Sequence, residues 1–360
     1  MKEMIREEAY AAGIDLVGFS AAEDRLHWQK IYEKRKEQGY LTGFEPKDSG
    51  KILSPKAVFP RAKTVISLGV LYEKSSGERI PSGSGRLSVS SWGQDYHRVL
   101  HQKMEVFMQN VKKKTEDFDY KAFVDTGPLL DRVFAYESGI GFFGKNNLII
   151  HPDLGSSLFL GTIVTDRIID ADTPLPDGCG DCTRCLTACP SGALEAPHVF
   201  NGGKCIAYLT QKKEHLTRKE RRLLGMQIYG CDECQRVCPY NKEPQGQADP
   251  AFLKRESMAY PDLKKLVLLT GGEFKKTFRQ TAAGWRGKKI FQRNALIAMG
   301  NDKSEDHHGF LIRCLRDERD FIRLYALFSL QEYGEKGKKV VEDHLKKEKA
   351  AVIADYNQYR

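Results

Sequence analysis

The chain has 360 residues, 41% of them hydrophobic, enough for a buried core and for two or three domains. Lys and Arg total 57 against 48 Asp and Glu, a net charge of +9 that bears on partners only where it is concentrated. The charged opening, Met-Lys-Glu-Met-Ile-Arg-Glu-Glu, lacks the apolar stretch of a secretory signal, and no run approaches the ~18 apolar residues of a membrane span, so a soluble, cytoplasmic protein with no membrane partner is expected.

Met4, Ile5, Ala9 and Ala12 fall at helical spacing, Gly13 stops the helix, and Ile14-Asp-Leu-Val-Gly-Phe reads as a strand. Thr64-Val-Ile-Ser-Leu-Gly-Val-Leu is a second strand, of the nearly continuous apolar kind that is covered on both faces. Residues 81–94, rich in Gly, Ser and Arg, read as a long loop and hence as a functional candidate. Val99, Leu100, Met104, Phe107 and Val111 mark a long helix, Lys121-Ala-Phe-Val a strand, residues 128–138 a helix ending near Gly139, and 148–150 and 157–164 further strands. Residues 1–170 thus read as one α/β domain, within an overall α+β or α/β class.

A cysteine-rich insert follows over 171–245, then a connecting helical segment over 246–285. The last part, 286–360, carries short amphipathic helices near 289–300, 309–315, 320–331 and 337–347. Arg293-Asn-Ala-Leu-Ile-Ala-Met-Gly is echoed by Arg323-Leu-Tyr-Ala-Leu-Phe-Ser-Leu, which reads as two helical-hairpin repeats of the HEAT type. Two such pairs are too few for a free solenoid and must pack on the rest of the protein.

Eight of the nine cysteines crowd between Cys179 and Cys238. Cys179-x2-Cys182-x2-Cys185-x3-Cys189-Pro190 is the spacing with which bacterial ferredoxins wrap 4Fe–4S clusters, the fourth cysteine reaching the other cluster. Zinc more often takes two separated Cys-x2-Cys pairs and needs neither the third cysteine at this pitch nor the proline. Cys231-x2-Cys234-x3-Cys238-Pro239 is the same motif with its first cysteine replaced by Ile228. By ferredoxin logic Cys179, Cys182, Cys185 and Cys238 hold one cluster. Cys189, Cys231 and Cys234 hold the other, with Cys205 the nearby cysteine left to complete it. Cys314 lies on an apolar helical face with Phe310, Leu311 and Leu315 and reads as a core thiol.

Two adjacent clusters make an electron relay, and a relay needs an acceptor. The glycines at 139–144 follow a helix rather than a strand, so they do not form a dinucleotide-binding turn. Asp95-Tyr96-His97-Arg98-Val99-Leu100 resembles the Asp-x-His-x-x-Gly motif that places a histidine under the cobalt of cobalamin, with Leu100 in place of the glycine. The positive charge, meanwhile, concentrates between Glu273 and Arg293. Lys275, Lys276, Arg279, Arg286, Lys288, Lys289 and Arg293 stand there against Glu273 alone, with Trp285 among them, a candidate phosphate-binding strip or else a solvated helix face.

Ser91-Trp-Gly-Gln-Asp-Tyr-His, Val124-Asp-Thr-Gly-Pro, Gly139-Ile-Gly-Phe-Phe-Gly-Lys-Asn, the cysteine block with Gly230-Cys-Asp-Glu-Cys-Gln, and Gly284-Trp-Arg-Gly-Lys-Lys with Gln292-Arg-Asn-Ala run in order through nearly the whole chain. In these stretches it resembles the epoxyqueuosine reductases, cobalamin- and iron–sulfur-dependent enzymes of queuosine formation in tRNA. The resemblance implies base-off cobalamin in the N-terminal domain beside the two clusters, an epoxyqueuosine-bearing anticodon stem-loop as substrate, an external low-potential electron donor, and a monomer. It implies Asp125 as proton donor, with Tyr96 as a second donor or orienting group. It also implies a cobalamin pocket drawing on Lys145, Asn146, Ile149, Ser157, Leu160, Ala207 and Asp232, to which the Asp-x-His likeness adds His97.

On the residues alone, Asp125-Thr-Gly-Pro ahead of a helix reads as an N-cap. As a proton donor, Asp125 is expected in a pocket dry enough to raise its pKa. Three other readings compete. A reductive dehalogenase-like reductase of a small molecule is opposed by the missing twin-arginine signal and the basic, repeat-bearing C-terminus. A bare ferredoxin-like carrier would not need the first 170 residues. A zinc-bearing nucleic-acid module is opposed by the cysteine spacing.

Overall fold

The computed structural model describes residues 1–45, 48–74, 77–115, 118–242 and 245–360. They form two compact units, each assembled from three separate stretches: Met1–Ser76, Gln94–Gly203 and Glu233–Leu253 in the first, Gly77–Gly93, Lys204–Asp232 and Lys254–Arg360 in the second.

The first unit is built on a four-stranded sheet of β1 (Leu16–Ala21), β2 (Thr64–Leu71), β3 (Tyr120–Phe123) and β4 (Leu158–Thr165), in the order β1-β2-β4-β3. Every pairing is antiparallel, with Leu16 opposite Gly69, Leu71 opposite Leu158 and Phe123 opposite Thr162. This corrects the α/β expectation to α+β for this unit. Strand β2 is buried at all eight positions, as its apolar run predicts, but helices on both faces do the covering rather than a parallel crossover layout.

Those helices divide by residue parity along β4. A Cβ at Gly161 would lie 3.3 Å from Met104 of the long helix α2 (Tyr96–Lys114), while the next residue, Thr162, donates to Asp131 at the start of α3 (Asp131–Glu137). Helix α1 (Lys2–Ala11) packs beside α2. On the α3 side Gly18 is required by close approach, since a Cβ there would fall 2.0 Å from the Ser138 carbonyl oxygen.

The second unit centres on α4 (Lys288–Asp302), buried from Ile290 through Gly300. Around it lie α5 (Glu305–Cys314), α6 (Asp320–Leu330) and, beyond α6, α7 (Gly334–Leu345), close to the predicted helices. Gly300 lets α4 and α6 approach, because a Cβ would meet Ser329 Cα at 2.8 Å. The echoed arginines play like parts. Arg293 donates to the carbonyls of Leu209, Thr210 and Lys212, and Arg323 pairs with Glu348 at 2.7 Å and Asp320 at 2.7 Å. Cys314 is buried in this core, its thiol pushed up to about 12 by desolvation, which agrees with a structural thiol. No helix among the described residues is long and apolar enough to cross a membrane.

Candidate functional site

Asp95 caps the N-terminus of α2, its Oδ1 accepting from the His97 N–H at 3.1 Å, and so directs the next two side chains. Tyr96 donates its hydroxyl to Asp125 Oδ2 at 2.7 Å, and its ring stacks between His97 at 4.1 Å and Phe159 at 4.3 Å. His97 Nδ1 meets Asp95 Oδ1 at 2.8 Å, while Nε2 lies 3.3 Å from Asp125 Oδ2, within ion-pair reach but outside hydrogen-bond geometry. The Asp125 side chain remains 61% exposed and so is open to a substrate.

These carboxylates set the charge state. His97 is pushed up to about 9, first by Asp125 and then by Asp95, against the opposing effect of burial. Asp125 is held below the usual carboxylate range, first by His97 and further by Tyr96, against desolvation. The direction expected at Asp125 is therefore reversed: the interaction with His97 outweighs desolvation at this largely exposed carboxylate. His97 Nδ1 is engaged by Asp95 and Nε2 lies beside Asp125, so a metal bound at either nitrogen would have to displace the proton that these carboxylates favour. Asp125 is not a helix cap. Helix α3 begins six residues later, and Asp125 adopts a left-handed φ of +49°. It is Asp131 that receives the Asp125 N–H, at 2.8 Å.

The loop expected to meet the cofactor carries two buried side-chain amides. Asn146 is buried, its Oδ1 accepting from the Leu148 N–H at 3.2 Å, and its Nδ2, like that of Asn147, is buried with no acceptor among the described residues. Amide donors left over in this way fit a ligand rich in carbonyl oxygens, which the side-chain amides of a corrin would supply. Lys145 reaches the Gly180 carbonyl through Nζ, and Ile149 packs with Ala135, Ile140 and Leu160. Ser157 is buried and Leu160 half-buried in β4. In the second unit Ala207 is half-buried in the turn Ile206–Leu209. Asp232 is already engaged, its two oxygens accepting from the Ser88 hydroxyl at 2.6 Å and the Val89 N–H at 3.0 Å, so it supports the 88–91 turn.

Among the cysteines, Cys238 is buried against Phe142 and Ile150, with Cys179, Leu175 and Tyr240 packed on the same cluster. The thiols of Cys179, Cys185 and Cys238 are raised by burial first, and each is raised further by neighbours within the set Cys179, Cys182 and Cys185. Thiols so crowded and desolvated suit a cation that takes their protons' place. The turns Arg184–Ala188 and Glu233–Arg236, carrying Cys185 and Cys234, pack on each other. Cys189 and Cys234 belong to the first unit, Cys205 and Cys231 to the second. Among the described residues no three His, Cys, Asp or Glu side chains are placed to hold a single ion, but thiolates around a four-iron cluster bind different irons and need not converge on one point.

In the basic strip, Lys275, Lys276, Arg279 and Lys289 are exposed, and Arg286 and Lys288 half-buried. Trp285 is 51% exposed, its Nε1 donating to Gln211 Oε1 at 2.9 Å and its ring covered by Arg286 at 4.0 Å. Arg293 does not belong with them. It is 3% exposed and spends its donors on carbonyl oxygens, so it is a core group rather than a phosphate contact. The sequence reading named Asp95 only as part of the Asp-x-His stretch, and it missed Asp131 and Thr162. The capping of a long helix by Asp95 carries a recognisable signal, whereas nothing in spacing brings Thr162 to Asp131.

An α+β unit carrying a crowded set of cluster-type cysteines and a tyrosine–histidine–aspartate group defines an iron–sulfur oxidoreductase. The family model of the 4Fe-4S double cluster binding domain matches residues 178–241, and that of epoxyqueuosine reductase QueG, DUF1730, matches residues 53–126. The epoxyqueuosine reductase of Bacillus subtilis (strain 168) is 37% identical over 97% of this chain and 92% of its own. A crystal structure of epoxyqueuosine reductase with a tRNA-Tyr epoxyqueuosine-modified stem loop superposes with a TM-score of 0.92 at 35% identity, covering 99% of this chain and 96% of that one. The Bacillus subtilis enzyme with its catalytic aspartate loop swung out of the active site superposes at 0.90 and 35% identity, over 97% and 95%. The chain belongs to the epoxyqueuosine reductase family.

Proposed function

We propose that this chain reduces epoxyqueuosine to queuosine at the wobble position of tRNA anticodons, electrons passing through two 4Fe–4S clusters to base-off cobalamin. The observation that carries the reading is end-to-end similarity, at 35% identity, to a structure solved with the epoxyqueuosine-modified stem loop. The reaction takes two electrons and two protons: both C–O bonds of the epoxide break, a C=C bond forms, and the oxygen leaves as water. Cobalamin, when bound, supplies the reducing equivalents at the epoxide.

The chain's own residues manage protons and position. Asp125 presents Oδ2 to the departing oxygen, Tyr96 orients that carboxylate through its hydroxyl, and His97 Nε2 holds a proton 3.3 Å away that can pass through Asp125 to the oxygen. Lys145, Asn146, Ile149, Ser157, Leu160 and Ala207 would hold cobalamin, and the buried amide of Asn146 would suit a corrin amide oxygen. Cys179, Cys182, Cys185 and Cys238 hold one cluster. Cys189, Cys231 and Cys234 hold the other by their spacing, with Cys205, the nearby cysteine left over, as its fourth ligand.

Lys275, Lys276, Arg279, Arg286, Lys288 and Lys289 neutralise stem phosphates while Trp285 stacks on an unpaired base. By function the chain divides into a cobalamin and catalytic domain (1–170), the double-cluster domain (171–245), a connecting segment (246–285) and HEAT-like repeats (286–360). It acts as a cytoplasmic monomer served by an external low-potential donor. The test is to load the protein anaerobically with iron, sulfide and cobalamin, supply a low-potential reductant and an epoxyqueuosine-bearing stem loop, and follow loss of one oxygen atom by mass spectrometry. An unchanged nucleoside with fully loaded protein would overturn the reading.

A further inference from the structure

Asp131 takes no part in the chemistry above, yet the geometry of Asp125 depends on it. The left-handed φ of +49° at Asp125 costs a residue with a Cβ about 1 kcal/mol or more, so the surrounding structure must hold it. Its N–H donates to Asp131 Oδ2 at 2.8 Å, and the other oxygen, Oδ1, accepts the hydroxyl of Thr162, which is fully buried in β4. The loop between β3 and α3 is anchored at Val124 and Leu129, both buried, while Asp125 and Thr126 between them are exposed.

An acid in the first turn of a helix ordinarily serves that helix's own N-terminus. Here both carboxylate oxygens reach outside the helix, one to the loop and one to the sheet. Asp131 is half-buried, and desolvation pushes its carboxyl up to about 7.

We infer that Asp131 is a positioning residue: with Thr162 it latches the 124–130 loop to the sheet, in the conformation that offers the Asp125 carboxylate to Tyr96, His97 and the substrate oxygen. The inference rests on the reading of Asp125 as the group that delivers the proton.

The test compares the loaded wild-type protein with Asp131→Ala, Asp131→Asn and Thr162→Val, reading amide hydrogen exchange and steady-state kinetics on the modified stem loop. In Asp131→Ala, exchange at the Asp125 amide should rise about 10-fold or more while the amides of β3 and β4 keep their protection, the scale expected for losing one hydrogen bond. The same variant should lose about 10-fold in kcat at unchanged KM. Asp131→Asn, which keeps an acceptor oxygen, should recover part of both. Thr162→Val should show the same pattern more weakly, and it carries the test if Asp131→Ala does not fold. In an Asp125→Asn background, Asp131→Ala should cost no further turnover.

Unchanged exchange at the Asp125 amide in folded Asp131→Ala or Thr162→Val overturns the latch, as does a kcat loss that adds in full to that of Asp125→Asn. Normal turnover by Asp125→Asn alone would instead sink the proton-delivery reading, while the exchange result still judges the latch.

Discussion

His97 and Asp125 form an ion pair, Nε2 to Oδ2 at 3.3 Å, in which the histidine is raised to about 9 and the aspartate lowered. The native state therefore binds more protons than the unfolded chain between the ordinary histidine value near ~6.5 and about 9. The stabilisation is complete below ~6.5 and is lost as pH rises through about 9. Because Asp125 is largely exposed, solvent screening reduces the effect to about 1 kcal/mol. Denaturant unfolding from pH 6 to 10 should show stability falling across this window in wild type, and His97→Gln should flatten the curve. Parallel curves would mean that the pair does not form in solution.

Asp125→Asn keeps the size of the side chain and an acceptor for Tyr96, but removes the carboxylate that passes the proton. The variant should fold, bind iron and cobalamin as wild type does, and turn over ~10²-fold more slowly, the usual scale of general acid–base catalysis. Single-turnover rates on the modified stem loop measure this directly, and a near-normal rate would remove Asp125 from the chemistry.

Two 4Fe–4S clusters require about eight iron atoms per chain and a broad absorbance in the visible. Cys205→Ser should weaken one cluster and spare the other, because Ile228 stands where the motif's remaining cysteine would be. Cys314→Ser should leave iron unchanged, since that thiol is buried in the helical core. Iron analysis and electron paramagnetic resonance of the reduced proteins distinguish these outcomes. Full iron with two normal signals in Cys205→Ser would refute the ligand assignment.

The basic strip separates into two kinds of residue, and mutation should separate them likewise. Arg286→Glu with Lys289→Glu should raise the KM for the stem loop and flatten its dependence on salt, with cluster and cobalamin content intact. Arg293→Met should leave the salt dependence alone and instead lower unfolding stability by roughly 2–4 kcal/mol, because it strands the carbonyls of Leu209 and Thr210. Superimposable salt curves for wild type and the double variant would reduce the strip to a solvated face.

Local chemistry was readable without coordinates. The cysteine pitch from Cys179 to Cys189, the apolar run of β2 and the 3.6-residue periodicity of α2 each follow from neighbours in the chain, since iron ligation and helical burial act over a few residues, whereas α4, buried all round, shows no such stripe. The echo between Arg293 and Arg323 was visible as well, but not that both arginines face inward, because burial of a charge depends on carbonyl oxygens that other segments bring to it. Likewise Asp125 could be singled out, but its lowered pKa could not. That follows from His97, 28 residues earlier, being held by Asp95 and turned toward it. Thr162 and Asp131 are 31 residues apart and meet only because β4 pairs with β3 and α3 packs on the same face of the sheet. Ionisation states and loop conformations are set by such through-space contacts, and these exist only once the sheet has closed.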